Sequence, residues 1–172
     1  PGGFSFGDYL RSGAMAAKSK IISDLISHSE KGRYVLGICN GFQILSEIGL
    51  LKGALIQNNK LKFLGKNCFI KKKYKNNFNR LINVDQTLEI PVAHNEGNFY
   101  CDNDNLKYLH DNELIAFEYC GGKFSNAEAN INGSIDNIAG ITNKNKNILG
   151  MMPHPERAFQ DFHKSQDGKL IL

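Results

Sequence analysis

Val35-Leu36-Gly37-Ile38-Cys39-Asn40-Gly41-Phe42-Gln43-Ile44-Leu45 is the stretch that decides the fold. Apolar residues and glycine run into a corner of small residues and continue with helical spacing, which predicts a buried strand, a tight turn and a helix start. Glycines two positions before and two positions after Cys39 predict a cramped turn that a Cβ atom would obstruct. We therefore expect the Cys39 thiol to lie on a sharp elbow that faces a cleft.

The elbow also predicts the chemistry of this cysteine. A thiol at a helix N-terminus meets the positive end of the helix dipole and unpaired backbone N–H groups, which favour the thiolate. The backbone N–H of Asn40 could donate to the oxyanion of an acyl group that Cys39 attacks. The alternative is a buried cysteine that packs as a small hydrophobic residue. The flanking glycines favour the nucleophile.

The composition limits the class of protein. The chain has 172 residues, 41% of them hydrophobic, which predicts a single domain over residues 1–172. Its four cysteines lack Cys-x-x-Cys spacing, and no signal peptide or long apolar segment is visible. We therefore expect reduced thiols, a cytoplasmic location, no membrane partner and no metal. The run Lys71-Lys72-Lys73-Tyr74-Lys75 predicts a solvated edge strand rather than a nucleic-acid site.

Periodicity and turn residues predict the remaining elements. A helix is expected between a Ser19 cap and Gly32, and a short one at 106–110. Pro91 indicates that its strand lies at an edge or ends irregularly. Strands are expected at 34–38, 61–64, 67–74, 87–93, 114–119, 138–142 and 148–152.

A second candidate segment is Met152-Pro153-His154-Pro155-Glu156-Arg157. The two prolines favour an extended His154, and residues two apart in an extended chain face the same way. His154 could then act as the base toward Cys39, with Glu156 orienting the imidazole. The alternatives are a histidine with only a loop role, and a Glu156 that pairs with Arg157 or caps a helix.

The other histidines are weaker candidates. His94 follows a predicted strand and opens the turn His94-Asn95-Glu96-Gly97, so it could bind substrate or be a satisfied structural histidine. We interpret His28, His110 and His163 as surface residues.

Together these motifs resemble the class I glutamine amidotransferases. Gly37-Ile38-Cys39-Asn40-Gly41-Phe42-Gln43 is similar to the nucleophile motif of that family, and His154-Pro155-Glu156 is similar to its second motif. The opening turn Pro1-Gly2-Gly3 and the loop from Ala93 to Gly97 further resemble the branch of the family that serves purine biosynthesis. The resemblance covers essentially the whole chain.

The resemblance implies an α/β, three-layer, flavodoxin-like fold with a mostly parallel central sheet. It also implies hydrolysis of glutamine by a triad, backbone donors to the oxyanion and a pocket for glutamine. The residues implied are Cys39, His154 and Glu156 for the triad, the N–H groups of Gly3 and Asn40 for the oxyanion, and Gln43, His94, Asn95 and Glu96 for the pocket.

The resemblance has further implications for partners and completeness. Ammonia would pass to a separate synthetase subunit that uses ATP and Mg, a small accessory subunit would join them, and this chain would hold no cofactor itself. The family carries a strand, a helix and a strand before the Pro1-Gly2-Gly3 turn. We expect those elements to be missing here and the chain to be poorly stable alone, and the carboxyl end is a second candidate for truncation.

Two other functions stay open at this point. One is a different cysteine hydrolase of similar fold, such as a γ-glutamyl hydrolase or another amidotransferase branch, and the Asn40-Gly41-Phe42-Gln43 elbow argues against it. The other is a non-catalytic interaction module. The presence of Cys39, His154 and Glu156 together argues against that interpretation.

Overall fold

The computed structural model describes residues 13–122 and 129–172. Within them the chain forms three α-helices, Ile21–Glu30 (α1), Asn40–Glu47 (α2) and Asn103–Asp111 (α3). The strands are Val35–Ile38 (β1), Ala54–Ile56 (β2), Leu64–Lys72 (β3), Thr87–His94 (β4), Asn98–Tyr100 (β5), Ile115–Cys120 (β6), Ile138–Thr142 (β7) and Ile148–Met151 (β8). Short 3₁₀ turns lie at Ala16–Lys18, Ile135–Asn137, Pro155–Arg157 and Asp167–Leu170.

In the described part of the chain, the main sheet has six strands in the order β1-β8-β7-β6-β3-β4. The α/β class is confirmed, but the expected mostly parallel sheet is wrong for the described residues. Only β1 and β8 pair in parallel there, and the other neighbours are antiparallel. The reason is local, because most strands after β1 follow one another through loops rather than through the crossover helices that parallel pairs require.

Alternate residues of the sheet enter two apolar cores, as the two-residue period of a strand dictates. In β8, Ile148 packs into the core beneath α2 together with Phe42 and Leu45, whereas Leu149 packs into the core on the opposite face. Gly150 is required directly after them, because a Cβ there would overlap the ring of Phe42 and a methyl group of Leu51. The helix after the elbow is thereby held tightly against β1 and β8.

Several predicted elements are shifted or wrong. The predicted strand at 61–64 is largely a turn, because Leu61 adopts a positive φ of 52°. The helix α1 begins after Lys20, and no side chain caps it, so the predicted Ser19 cap is wrong. The short strands β2 and β5, which pair with each other, were not predicted.

The basic run lies in a different place from the predicted edge. Strand β3 lies between β4 and β6, inside the sheet. Lys73 lies 2.9 Å from the Glu118 carboxylate on β6, and Lys72 donates to the carbonyl of Ile82. Pro91 does lie in an edge strand as predicted, since β4 ends the order of the sheet. None of the helices formed by the described residues is long and apolar enough to cross a membrane.

Candidate active site

Cys39 lies at the corner between β1 and α2, as predicted. Its backbone has φ 52° and ψ −108°, a conformation that residues with a Cβ rarely adopt. The corner is fixed by its own backbone, because the N–H of Cys39 donates to the Met151 carbonyl at 2.8 Å and its carbonyl accepts from Phe42 at 2.9 Å. The thiol is buried and lies 3.7 Å from the carbonyl oxygen of Ala93 at the end of β4. A strained, rigid turn therefore presents the sulfur to the site.

The two glycines beside Cys39 have different roles. A Cβ on Gly37 would lie 2.9 Å from the backbone of Gly41 and would overlap the Leu45 side chain. A Cβ on Gly41 would meet no described atom within 4 Å, so the predicted obstruction is found only before the cysteine.

The register of the sheet brings the histidine segment to the same edge. Ile38 of β1 is paired with Met151 of β8, and because the pair is parallel both chains leave the sheet at one edge. His154 follows Met151 by three residues, and its N–H donates to the Pro91 carbonyl of β4 at 2.8 Å. The ends of β1 and β8 and the second half of β4 therefore meet at this edge.

His154 and Glu156 form the predicted pair. The Nδ1 atom of His154 lies 2.7 Å from a carboxylate oxygen of Glu156, and the imidazole is buried. The route differs from the prediction, because Pro155–Arg157 is a 3₁₀ turn rather than an extended segment. Arg157 also lies 3.7 Å from the same oxygen, so Glu156 pairs with both neighbours. The Nε2 atom of His154 is buried without a hydrogen-bond partner among the described residues.

The charges around the pair set the pKa of the carboxyl group. Burial alone would raise the pKa of Glu156, but the hydrogen bond from His154 and its positive charge outweigh burial, and Arg157 adds to them. The pKa of Glu156 is therefore lowered. The carboxylate stays ionised and favours a proton on Nδ1 of the imidazole.

The predicted pocket residues lie against the elbow. Gln43 is buried, accepts a hydrogen bond from the Asn40 side chain at 2.8 Å and donates to the Glu96 carbonyl at 2.7 Å. Helix α2 is thus tied to the loop after β4, which contains Asn95 and Glu96. His94, the last residue of β4, is buried in the same region.

His94 is a neutral histidine next to His154. Burial lowers the pKa of His94 to about 4, and the charge of His154 acts in the same direction. Its Nδ1 atom lies 3.1 Å from the side-chain oxygen of Asn58, whereas Nε2 is buried without a partner in the described part of the chain. The structure therefore places His94 in the candidate site.

The predicted oxyanion donors are described only in part. Asn40 is the first residue of α2, so its N–H has no carbonyl within the helix to bond. Gly3, the second predicted donor, lies outside the described residues. His28, His110 and His163, predicted to be surface residues, are all partly exposed, and His110 contacts Asp136 at 2.9 Å.

Asn58 is the residue of this region that the sequence did not reveal. It is fully buried, and it bonds both to His94 and to Gly97. It stands in the polar run Gln57-Asn58-Asn59, which gives no sign of burial. In the described residues, no group of His, Cys, Asp and Glu side chains could hold a metal ion.

Comparisons with known proteins agree with this architecture. Residues 1–169 match the model of the CobB/CobQ-like glutamine amidotransferase domain. The chain is 48% identical over its full length to a phosphoribosylformylglycinamidine synthase subunit PurQ of Pelagibacter ubique, and covers 76% of that protein. It is 45% identical over 99% of its length to the subunit of the same name from Aquifex aeolicus, again covering 76% of it.

A solved structure supports the same relationship. The structure of PurLQS from Thermotoga maritima matches 99% of this chain and 74% of its own chain, with a TM-score of 0.85 and 38% sequence identity. This chain therefore belongs to the family of CobB/CobQ-like glutamine amidotransferase domains.

Proposed function

We propose that this chain is the glutaminase subunit of a phosphoribosylformylglycinamidine synthase and hydrolyses glutamine with Cys39, His154 and Glu156. The observation that carries the chemistry is the 2.7 Å contact between His154 and Glu156 at the sheet edge where the Cys39 elbow lies. The name shared by relatives that are 45% and 48% identical supports the choice of enzyme.

In the proposed first step, Nε2 of His154 takes the proton of the Cys39 thiol, and the thiolate attacks the side-chain amide carbon of glutamine. The electron pair of the C=O bond moves to oxygen, and the backbone N–H groups of Asn40 and Gly3 stabilise the oxyanion. His154, protonated on both nitrogens, gives its Nε2 proton to the amide nitrogen. The C–N bond then breaks, and ammonia leaves with a glutamyl thioester on Cys39.

In the second step, His154 removes a proton from water, which attacks the thioester carbon. The second tetrahedral intermediate expels the Cys39 thiolate and releases glutamate. Glu156 accepts a hydrogen bond from Nδ1 throughout and stabilises the imidazolium without taking its proton. Gln43, His94, Asn95 and Glu96 form the walls of the glutamine pocket in this proposal.

The ammonia is proposed to pass to a synthetase subunit. That subunit would use ATP and Mg to convert formylglycinamide ribonucleotide to its amidine, and a small accessory subunit would join the complex in the cytoplasm. The PurLQS name of the Thermotoga maritima structure supports a partnership of this kind. We propose no cofactor, nucleic acid or membrane partner for this chain.

The test is labelling with a glutamine-like electrophile, 6-diazo-5-oxonorleucine, read by intact mass with and without the synthetase subunit. We expect a single adduct, loss of the adduct in Cys39→Ala, and labelling in Cys120→Ala. The second variant is the matched control, because Cys120 is the least buried of the four cysteines and would take up a non-specific reagent first.

Other outcomes separate the alternatives. Failure of Cys39 to react even in the complex would overturn the glutaminase proposal and favour an interaction module. Turnover of a γ-glutamyl peptide in preference to glutamine would favour a γ-glutamyl hydrolase. Glutamine-dependent ADP formation from ATP with formylglycinamide ribonucleotide, absent in Cys39→Ala, would support the proposed acceptor.

A further inference from the structure

Every polar group of the Asn58 side chain is hydrogen-bonded, and most of these bonds go to the segment from His94 to Gly97, which we call the pocket loop. Its Nδ2 atom donates to the carbonyls of Lys62 at 2.9 Å and His94 at 3.0 Å. Its Oδ1 atom accepts from the N–H of Gly97 at 3.1 Å, and its backbone N–H donates to the Asn95 carbonyl at 2.9 Å. Because Asn58 is fully buried and all of these groups are bonded, its side chain is held in a single orientation.

These bonds determine which way the amide of Asn58 points. Two carbonyl oxygens require the NH₂ group on one side, and the Gly97 N–H requires the oxygen on the other. The same oxygen lies 3.1 Å from Nδ1 of His94. Because that oxygen can only accept, Nδ1 of His94 must carry the proton, and Nε2 of the neutral ring must be a hydrogen-bond acceptor.

Packing holds this ring in place. A Cβ on Gly97 would overlap the imidazole of His94, so the ring lies directly against the Gly97 backbone. The Gly97 carbonyl is held in turn by the Asn132 side chain at 2.7 Å. The loop and the ring are therefore fixed as one unit.

The charged surroundings favour a neutral ring. His154, on the segment after β8, is the titratable neighbour whose charge acts on His94, and burial has the larger effect on its pKa. The other titratable groups of the site are Cys39 on the elbow, Glu96 in the same loop, Glu156, which contacts Nδ1 of His154, and Tyr119, whose hydroxyl accepts from Asn132 at 3.3 Å. A second positive charge at position 94 would oppose the imidazolium that the reaction forms on His154.

We infer that Asn58 is a positioning residue of the glutaminase reaction, which locks His94 as the neutral Nδ1–H tautomer beside His154. The inference rests on the proposed function. The lock keeps the positive charge of the reaction on His154 and keeps Nε2 of His94 a hydrogen-bond acceptor within the site. Asn58 acts through His94 and touches no reacting atom.

The tautomer can be measured without turnover. The full chain, labelled with ¹⁵N-histidine, is recorded by long-range ¹H–¹⁵N correlation from pH 8 to pH 5, and His94→Gln assigns its signal among the five histidines. We expect a neutral Nδ1–H pattern for His94 over the whole range. An Nε2–H pattern, or titration near the ordinary histidine pKa, would overturn the inference whatever the activity.

The kinetic test replaces the amide by a carboxylate. In Asn58→Asp the negative charge favours protonation of His94, which makes Nε2 a donor and places a charge beside His154. Relative to the unsubstituted complex, we expect kcat/KM for glutamine to fall by about tenfold more at pH 6 than at pH 8.5. That difference requires the buried carboxylate to raise the pKa of His94 by about three units from about 4, so that most of the rings are protonated at pH 6. A purely structural role would lower activity equally at both pH values.

Two controls separate charge at His94 from charge in general. Asn132→Asp adds a carboxylate beside the same loop without contacting His94, so the shape of its pH profile should match the unsubstituted chain. The double variant Asn58→Asp/His94→Gln has no imidazole to charge, and its profile should lose the extra acid sensitivity. Equal acid sensitivity in all three variants would refute the inference. If Asn58→Asp does not fold, the NMR measurement of the His94 tautomer tests the inference alone. If the unsubstituted complex does not hydrolyse glutamine, the proposed function is refuted instead.

Discussion

Replacement of Cys39 by glycine should cost less stability than replacement by alanine, although glycine removes one more buried carbon. The cause is the backbone of Cys39, whose φ of 52° and ψ of −108° suit a residue without a Cβ. A residue held in such a conformation carries about 1–3 kcal/mol of strain, which Cys39→Gly relieves and Cys39→Ala retains.

The opposing effects can be estimated from the same structure. The methyl group of the alanine variant would be buried, as the Cys39 side chain is, and its loss costs about 0.8 kcal/mol. The greater freedom of glycine in the unfolded chain costs about 0.4–1 kcal/mol more. At the centre of the ranges, the relief of strain is about 2 kcal/mol and the two costs total about 1.5 kcal/mol. Cys39→Gly should therefore be about 0.5 kcal/mol more stable than Cys39→Ala.

Urea unfolding at 25 °C, followed by far-ultraviolet circular dichroism, measures the two free energies of unfolding. Ala139→Gly is the matched control, because Ala139 is similarly buried in β7 and has no positive φ. That substitution should cost about 1.5 kcal/mol, since the same methyl and chain-freedom losses apply without relief of strain. If Cys39→Gly were less stable than Cys39→Ala by the full cost of Ala139→Gly, the elbow would carry no strain and this reasoning would fail.

Three further predictions concern the same site. Gly37→Ala should lower the free energy of unfolding by about 1–3 kcal/mol, because the new Cβ would overlap the backbone of Gly41. Gly41→Ala should lower it by less than about 0.5 kcal/mol, because a Cβ there meets no described atom. Equal losses in urea unfolding would contradict this prediction. The pKa of His94 is lowered to about 4 in the folded chain, so between pH 6.5 and pH 4 the unfolded chain binds a proton at this histidine that the folded chain does not bind. The free energy of unfolding should therefore fall by roughly 3 kcal/mol as the pH drops from about 6.5 to about 4. His94→Gln should flatten that fall in pH-dependent urea unfolding, and an unchanged slope would exclude His94 as its cause. Glu156→Gln should lower kcat for glutamine by roughly 10²–10⁴-fold with little change in KM, because a neutral amide stabilises the imidazolium of His154 poorly. An unchanged kcat in steady-state assays would mean that Glu156 has no role in the reaction and only pairs with Arg157.

The parts of the site that were predictable from the sequence are local. The elbow follows from a buried strand, a glycine and a helix start within a few residues of Cys39, and the pair of His154 and Glu156 follows from their separation by a single proline. Even so, the pair forms through a 3₁₀ turn and not through an extended chain, because Pro155 begins that turn. A short separation along the chain predicted the contact while leaving its geometry open.

The parts that were missed depend on distant residues. Asn58 bonds to His94 and Gly97, which lie more than thirty residues further along the chain. Its neighbours in the sequence are polar, which is typical of an exposed loop and not of a buried residue. The sheet order is similarly non-local, since β3 pairs with both β4 and β6 although its lysines are typical of a solvated edge. The two strands that pair with β3, and the Glu118 carboxylate that pairs with Lys73 just after it, lie elsewhere in the chain, so the strand's own sequence does not reveal its position.

The assembly of the site follows from the curl of the sheet. Strands β1 and β4 stand at opposite ends of the strand order, yet the Cys39 thiol after β1 lies 3.7 Å from the Ala93 carbonyl of β4. The N–H of His154, after β8, donates to the carbonyl of Pro91 in the same edge strand. A flat sheet would keep these ends apart, so the curl is what brings the nucleophile, the histidine and the pocket loop together. Pro91 suits this position because an edge strand needs no N–H donor on its open side, while its carbonyl remains available to hold the histidine segment.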